Sequence, residues 1–363
     1  EIAQCLVGSE MCIRDREGQA MNMDFKSAKE LLDLCEENQL PISEVMRQRE
    51  CILGEVPRDA VDHRMAKAWE IMRASATQPL KKPTKSMGGL IGGEAKKLAA
   101  HDAKKKSICG DVLEKAITYA MAVLEVNASM GLIVAAPTAG SAGVVPGMML
   151  ALQECYRISD QRIVDALFNA GAVGYLAMRN ATVAGAVGGC QAEVGVASAR
   201  AASAAVELMG GTPQQCLDAA STVLMNMLGL VCDPVAGLVE VPCVKRNVIG
   251  AMDALSAAQM ALAGIESRVP PDQVLDAMAE VGRPCPPPSG RRERAAWPQR
   301  PLGWRTHPRR GDMKRLTHLF FYTLASIAFL NVFSHSFPSL PALYACMTIF
   351  SLLFGVSFPV SYT

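Results

Sequence analysis

The chain has 363 residues, of which 50% are apolar and only 5% aromatic, and its formal net charge is +1. A net charge so close to zero gives no electrostatic reason to expect a nucleic-acid or strongly acidic partner. Abundant Ala, Gly and Met favour closely packed helices over a β-sandwich, because strands prefer aromatic and β-branched side chains. The composition therefore predicts an all-α protein, long enough to bury a substantial core.

Twelve cysteines are spread along the chain rather than clustered in a short disulfide framework. At the amino terminus, no basic start leads into an apolar segment of the kind that marks a secretory signal. Both features favour a reducing, cytoplasmic location with buried or metal-binding thiols.

The chain changes character along its length. Residues 1–20 carry no periodic apolar pattern and resemble a translated cloning sequence, so we expect the natural protein to begin at Met21. Apolar residues at three- and four-residue steps then predict a helix from Asp24 that Pro41 interrupts, a second over Ser43–Gly54 with Ser43 as N-cap, and a third over 57–75. Residues 78–93 have the composition of a loop.

The central block alternates helical patterns with glycine-rich loops, and residues 21–283 form the predicted folded domain. Helices are predicted at 110–129, 145–156, 160–180, 195–209, 213–228, 245–264 and 270–281. Proline- and arginine-rich residues 284–315 read as a disordered or frameshifted linker. Residues 316–363 form an apolar tail of foreign character, whose two runs are near or below the ~20 residues that a membrane helix needs. A membrane hairpin is therefore the weaker interpretation of this tail.

Three cysteines stand in unusual backbone contexts. Cys190 closes a Gly-Gly-Cys turn, Cys232 opens a Cys-Asp-Pro turn, and Cys243 follows a proline. Glycine and proline give a thiolate room and a rigid backbone, and three thiols without a fourth indicate a cluster with one open iron, a Lewis acid. Their spacing matches no zinc-ribbon or ferredoxin pattern, and three buried structural thiols are the alternative.

Two glycine-rich segments resemble anion-binding turns that precede helices. In residues 135–147, Thr138, Gly140, Ser141 and Gly143 would present backbone N–H groups and two hydroxyls to a carboxylate or phosphate. A connecting loop between packed helices explains the same pattern equally well. In residues 85–98, Ser86 and the pair beginning at Gly88 form a similar turn.

Acidic and polar side chains near these motifs are further candidates. Glu125 and Asn127 lie in an apolar helix and either line a site or are satisfied core groups. Glu193 and Glu240 flank the cysteines and are natural partners for ligands or for simple turns. His63 and His101 have no supporting motif, so no histidine-based triad is predicted.

Five motifs together carry a family resemblance: residues 88–95, 125–131, 136–143, 187–195 and 232–243. With them, about 21–283 resembles the α chain, or catalytic domain, of the iron–sulfur-dependent L-serine dehydratases (L-serine ammonia-lyases). The resemblance implies a helical fold and a [4Fe–4S] cluster on Cys190, Cys232 and Cys243. It also implies that L-serine is converted to pyruvate and ammonia without pyridoxal phosphate.

Members of that family also carry a β domain, fused or separate, with a Ser-His-Thr motif that is absent from this sequence. The resemblance is therefore to a separate α subunit, and we expect a β subunit to supply part of the pocket and the general base. A non-catalytic iron–sulfur or metal-binding protein is the alternative. A pyridoxal-phosphate dehydratase would need a Schiff-base lysine, and neither Lys96 nor Lys115 has a suitable motif.

Overall fold

The computed structural model describes residues 23–104 and 107–283. The predictions for the leader, the linker and the apolar tail concern residues outside these ranges. The described part contains helices and loops but no strand, which confirms the all-α prediction. Among its helices, none has the length and apolar character that a membrane crossing requires.

Twelve α-helices follow one another within the described ranges. They are α1 (Ala28–Asn38), α2 (Ile42–Leu53), α3 (Arg58–Lys81), α4 (Glu94–Asp102), α5 (Asp111–Ala128), α6 (Val144–Tyr156), α7 (Asp160–Asn180), α8 (Gly185–Gly188), α9 (Val196–Leu208), α10 (Pro213–Met227), α11 (Cys243–Leu262) and α12 (Pro271–Gly282). A π-helical turn, Gln191–Gly195, leads directly into α9.

The centre of the fold is α9, which packs against α6, α7, α10 and α11. Nearly all of its residues are buried, and most are Ala or Ser. A helix whose surface is made almost entirely of small, uncharged side chains belongs in the interior. Small side chains let its neighbours approach closely, so the low aromatic content reflects dense helix packing.

Two glycines one turn apart bring α6 directly onto the backbone of α5. A Cβ at Gly147 would lie 2.8 Å from the Ala116 carbonyl oxygen, and one at Gly143 would lie 2.6 Å from Leu124 Cδ2. Real Cβ atoms do not approach so closely, so both positions require glycine. This close contact fixes the turn that precedes α6, which belongs to the candidate site.

Two local predictions were wrong. Ser43 is not an N-cap, because α2 begins at Ile42 after Pro41 and the Ser43 amide donates to Glu207 Oε2 at 3.2 Å. The loop predicted from residue 78 begins later, since α3 continues to Lys81 with Pro79 buried inside it. At Ser43 the long-range contact with Glu207 outweighs the local signal.

Candidate active site

The turn that carries Cys190 is fixed by the backbone conformation of Gly189 and by contacts with a neighbouring loop segment. Gly189 has φ +83°, and a Cβ there would lie 2.8 Å from the Leu230 carbonyl oxygen. That same oxygen accepts a hydrogen bond from the Gln191 amide at 2.9 Å, and Gln191 Oε1 accepts one from the Gly229 amide at 2.8 Å. These contacts fix the turn of Cys190 against the residues that lead into Cys232.

The segment between Cys232 and Cys243 folds back on itself. The Val235 amide donates to the Val241 carbonyl at 2.7 Å, and the Val241–Pro242 peptide is cis. Cys243 is then the first residue of α11. The spacing of eleven residues is thus a closed loop whose ends carry the two cysteines.

The three thiols differ in exposure and in ionisation. Cys190 and Cys243 are buried and Cys232 is half-buried. A hydrogen bond with Cys232, together with burial, raises the pKa of Cys190, and the same hydrogen bond lowers the pKa of Cys232. Burial, with the nearby charges of Cys190 and Glu193, raises the pKa of Cys243 to about 12.

No three His, Cys, Asp or Glu side chains of the described residues are close enough together to hold a single metal ion. Cys190 and Cys232 are in hydrogen-bond contact, whereas Cys243 interacts with Cys190 through charge. An iron–sulfur cluster spreads its ligands more widely than one ion does, because each thiolate binds a different iron. Electrostatic interactions link all three thiols in pairs, so they are neighbours in the fold.

A cation that sequence reasoning missed lies beside the thiols. Arg246 Nη1 donates to Cys190 Sγ at 3.1 Å and to the Val231 carbonyl at 2.8 Å, and pairs with Asp233 Oδ1 at 2.6 Å. The sequence feature that could have identified Arg246 is its position one helical turn after Cys243. A guanidinium there offsets negative charge on the thiolates and on Asp233.

The predicted anion-binding turn at Ser86 and Gly88 is filled by a carboxylate of the chain itself. Glu240 is 2% exposed and accepts hydrogen bonds from Ser86 Oγ at 2.6 Å, the Gly88 amide at 2.5 Å and the Leu90 amide at 3.2 Å. A Cβ at Gly88 would lie 2.8 Å from Glu240 Oε1. Glu240 thereby ties this turn to the residues that precede Cys243.

The second predicted turn is filled in the same way by Glu193. Thr138 Oγ1 donates to Glu193 Oε1 and lies 3.0 Å from Ser141 Oγ. A Cβ at Gly140 would lie 2.6 Å from Glu193 Oε1, and one at Gly185 would lie 2.5 Å from Glu193 Oε2. The carboxylate therefore sits between two glycines, three residues after Cys190.

Asn247, which sequence reasoning also missed, fastens this second turn to α11. Fully buried, it donates through Nδ2 to the Gly140 carbonyl at 2.8 Å and to the Cys243 carbonyl at 3.0 Å. Its Oδ1 accepts from the Gly143 amide at 3.1 Å. Gly143 thus packs closely against α5 and has its amide bound within the chain.

The remaining polar pair lies on α5. Glu125 is 1% exposed, and its Oε1 accepts from the Ala95 amide at 2.8 Å, at the start of α4. Burial raises the pKa of Glu125. Asn127 is half-buried in the last turn of α5, and no side-chain hydrogen bond within the described ranges connects it to the thiol-bearing segments. Glu125 therefore has a structural partner, whereas Asn127 has none of this kind.

Comparison with known proteins gives the class of the molecule. A sequence model described as the serine dehydratase alpha chain matches residues 37–289. Since this match covers more than half of the chain, the protein belongs to the serine dehydratase alpha chain family. The resemblance that the five motifs predicted is thereby confirmed.

Individual relatives agree with this assignment. The chain is 49% identical to the probable L-serine dehydratase, alpha chain, of Bacillus subtilis (strain 168), over 72% of this chain and 87% of the relative. It is 44% identical to the L-serine dehydratase, alpha chain, of Peptoniphilus asaccharolyticus, over 71% and 88%. Identity to the L-serine dehydratase TdcG of Escherichia coli (strain K12) is 37%, over 72% of this chain but only 58% of that protein.

Proposed function

We propose that this chain is the α subunit of an enzyme that deaminates L-serine to pyruvate and ammonia with a [4Fe–4S] cluster held by Cys190, Cys232 and Cys243. Family membership makes the protein an enzyme of the L-serine ammonia-lyase class. The observation that carries the cluster proposal is the convergence of three thiol-bearing segments around Arg246.

The donor set fits such a cluster chemically. Thiolates are soft ligands that select iron–sulfur clusters, zinc or copper(I), and the thiols of Cys190, Cys232 and Cys243 interact with one another in pairs. When bound, a cluster with one iron free of protein ligands supplies a Lewis acid for a hydroxyl leaving group. Serine would then lose water across its Cα–Cβ bond to give aminoacrylate, whose imine form is hydrolysed to pyruvate and ammonia.

The chain's own residues preform the surroundings for this reaction. Glu240 and Glu193 hold the two glycine-rich turns, and Asn247 fixes one of these turns to α11. Substrate contacts are proposed on the hydroxyl and amide groups of these turns, with Ser86 and Thr138 supplying hydroxyl groups. Binding of a substrate carboxylate there would have to compete with the internal carboxylates.

We propose that the general base comes from a separate β subunit. The alpha chains of Bacillus subtilis and Peptoniphilus asaccharolyticus are matched over 87% and 88% of their length, whereas the E. coli relative extends well beyond the match. Apolar side chains are exposed beside the turn at Ser86 and in the loop after α5: Met87 is 73%, Met130 78% and Leu132 72% exposed. The Met87 amide donates to the Ala128 carbonyl at 2.9 Å, so the loops that carry them are adjacent. Such a patch is typical of an interaction surface.

The central test is anaerobic pyruvate release from L-serine with the β subunit present, comparing wild type, Cys232→Ser and Cys155→Ser. Cys155 is a half-buried thiol on α6 with no proposed role, so its variant is the matched control. We expect Cys232→Ser to lose iron, sulfide and turnover, and Cys155→Ser to keep all three.

Each other outcome has a definite meaning. Undiminished turnover in Cys232→Ser would remove the cluster from the mechanism. A wild-type protein that binds the cluster but releases no pyruvate would instead be the non-catalytic iron–sulfur protein. Full turnover by the α chain alone would refute the β-subunit proposal.

A further inference from the structure

One guanidinium connects all three cysteine-bearing segments. Arg246 lies on the first turn of α11, which begins at Cys243, and helical side chains lean toward the helix amino terminus. Its Nη1 contacts Cys190 Sγ and both neighbours of Cys232, the Val231 carbonyl and Asp233. Among the described residues, it therefore joins the Cys190 turn, the Cys232 turn and the helix of Cys243.

The surroundings make this cation hard to replace. The side chains of Arg246 and Asp233 are only 16% and 14% exposed, so each would leave an uncompensated charge if the other were removed. Arg246 makes all three contacts through Nη1, and a lysine keeps the charge but carries its ammonium on a stem one atom shorter, which does not reach the same position. A neutral side chain would leave Asp233 and the thiolates as a group of like charges.

We propose that Arg246 is a positioning residue that holds Cys190 and Cys232 in ligating geometry and donates an N–H···S hydrogen bond that sets the reduction potential of the cluster. This inference rests on the proposed cluster. Hydrogen bonds to ligating sulfur tune the potential of iron–sulfur centres, and loss of such partners typically lowers metal affinity about 10–100-fold. Removing the donor raises electron density on sulfur, so the potential should fall.

The experiment compares Arg246→Lys and Arg246→Met with wild type after anaerobic reconstitution, in the presence of the β subunit. Cluster retention is measured as the iron and sulfide left per chain after incubation with increasing concentrations of a chelator. The midpoint potential of the cluster is measured by a spectroscopic redox titration. Arg268→Met is the control, since Arg268 is exposed and, among the described residues, forms an ion pair with the exposed side chain of Glu266 rather than with a cysteine-bearing segment. We expect both Arg246 variants to lose cluster retention about 10–100-fold and to shift the potential downward, while the control matches wild type.

The thermal unfolding midpoint of the cluster-free protein distinguishes a purely structural role of Arg246 from the proposed positioning role. We expect the thermal unfolding midpoint of Arg246→Lys to stay near that of wild type, because the lysine preserves the positive charge opposite Asp233. Cluster loss that only parallels a falling midpoint would make Arg246 a structural residue and overturn the proposal. Unchanged retention and potential in both variants, with an active wild type, would overturn it while leaving the proposed function intact. A wild type without any cluster would refute the proposed function first, and this inference with it.

Discussion

Substitution of Asn247 by alanine tests whether a buried amide holds the site's second turn. The side chain has no exposed surface and makes three hydrogen bonds, to the Gly140 carbonyl, the Cys243 carbonyl and the Gly143 amide. The Cys243 carbonyl lies within α11 and keeps a helical partner. The alanine variant therefore leaves two buried backbone groups without their partner.

Each unsatisfied buried group costs roughly 1–3 kcal/mol, so we expect Asn247→Ala to lower the free energy of unfolding by about 2–6 kcal/mol. For a domain of this size, that loss lowers the thermal midpoint by roughly 10 °C. Urea unfolding of the cluster-free protein, followed by far-ultraviolet circular dichroism, measures the free energy directly.

Two further variants sharpen this test. Asn247→Asp keeps an acceptor for the Gly143 amide but points an oxygen at two carbonyls, so we expect it to be destabilised at neutral pH and partly recovered in mild acid, where the carboxyl can donate. Asn226→Ala removes one exposed bond to Asp253 and is expected to cost less than about 1 kcal/mol. If Asn247→Ala costs no more than this control, water or backbone relaxation satisfies the turn, and the reasoning is wrong.

Two other predictions concern packing and pH. Gly143→Ala places a Cβ against the Ala120 backbone, so we expect a loss of about 1–3 kcal/mol or more, whereas Gly171→Ala, whose Cβ would meet nothing closer than 3.8 Å, should gain about 0.5–1 kcal/mol; equal thermal midpoints would contradict this. Burial alone would raise the pKa of Glu44, but hydrogen bonds led by that from Arg58 outweigh it and hold the pKa at about 2. Because the folded-state pKa is lowered, this carboxylate stabilises the fold above its unfolded pKa near 4.5, and that stability is lost as the pH falls toward 2. Glu44→Gln should flatten the acid limb of stability against pH, and an unchanged limb would refute the assignment.

The helical fold followed from the sequence because apolar residues recur at helical steps and glycines mark the loops. The observed α6 and α7, Val144–Tyr156 and Asp160–Asn180, differ by at most one residue from the predicted bounds. Errors arose where a distant partner decided the local structure. The Ser43 amide, for example, is bound by Glu207 from α9, which no local pattern reveals.

The site was predictable in its residue types but not in its partners. The unusual contexts of the cysteines singled out Cys190, Cys232 and Cys243, and they remain a prediction as cluster ligands. Arg246 and Asn247 escaped notice because a cationic or amide side chain at the start of a helix is ordinary in sequence. Only the tertiary fold shows that both face back toward the preceding loops.

The internal carboxylates constrain the sequence in pairs rather than residue by residue. Gly88 has no room for a side chain while Glu240 occupies its turn, and Gly140 and Gly185 stand in the same relation to Glu193. A side chain at any of these glycines would displace the carboxylate packed against it, and loss of the carboxylate would leave hydrogen-bond donors of the turn without their partner. Five residues far apart along the chain thus form two packed groups, each with a cysteine three residues from its carboxylate.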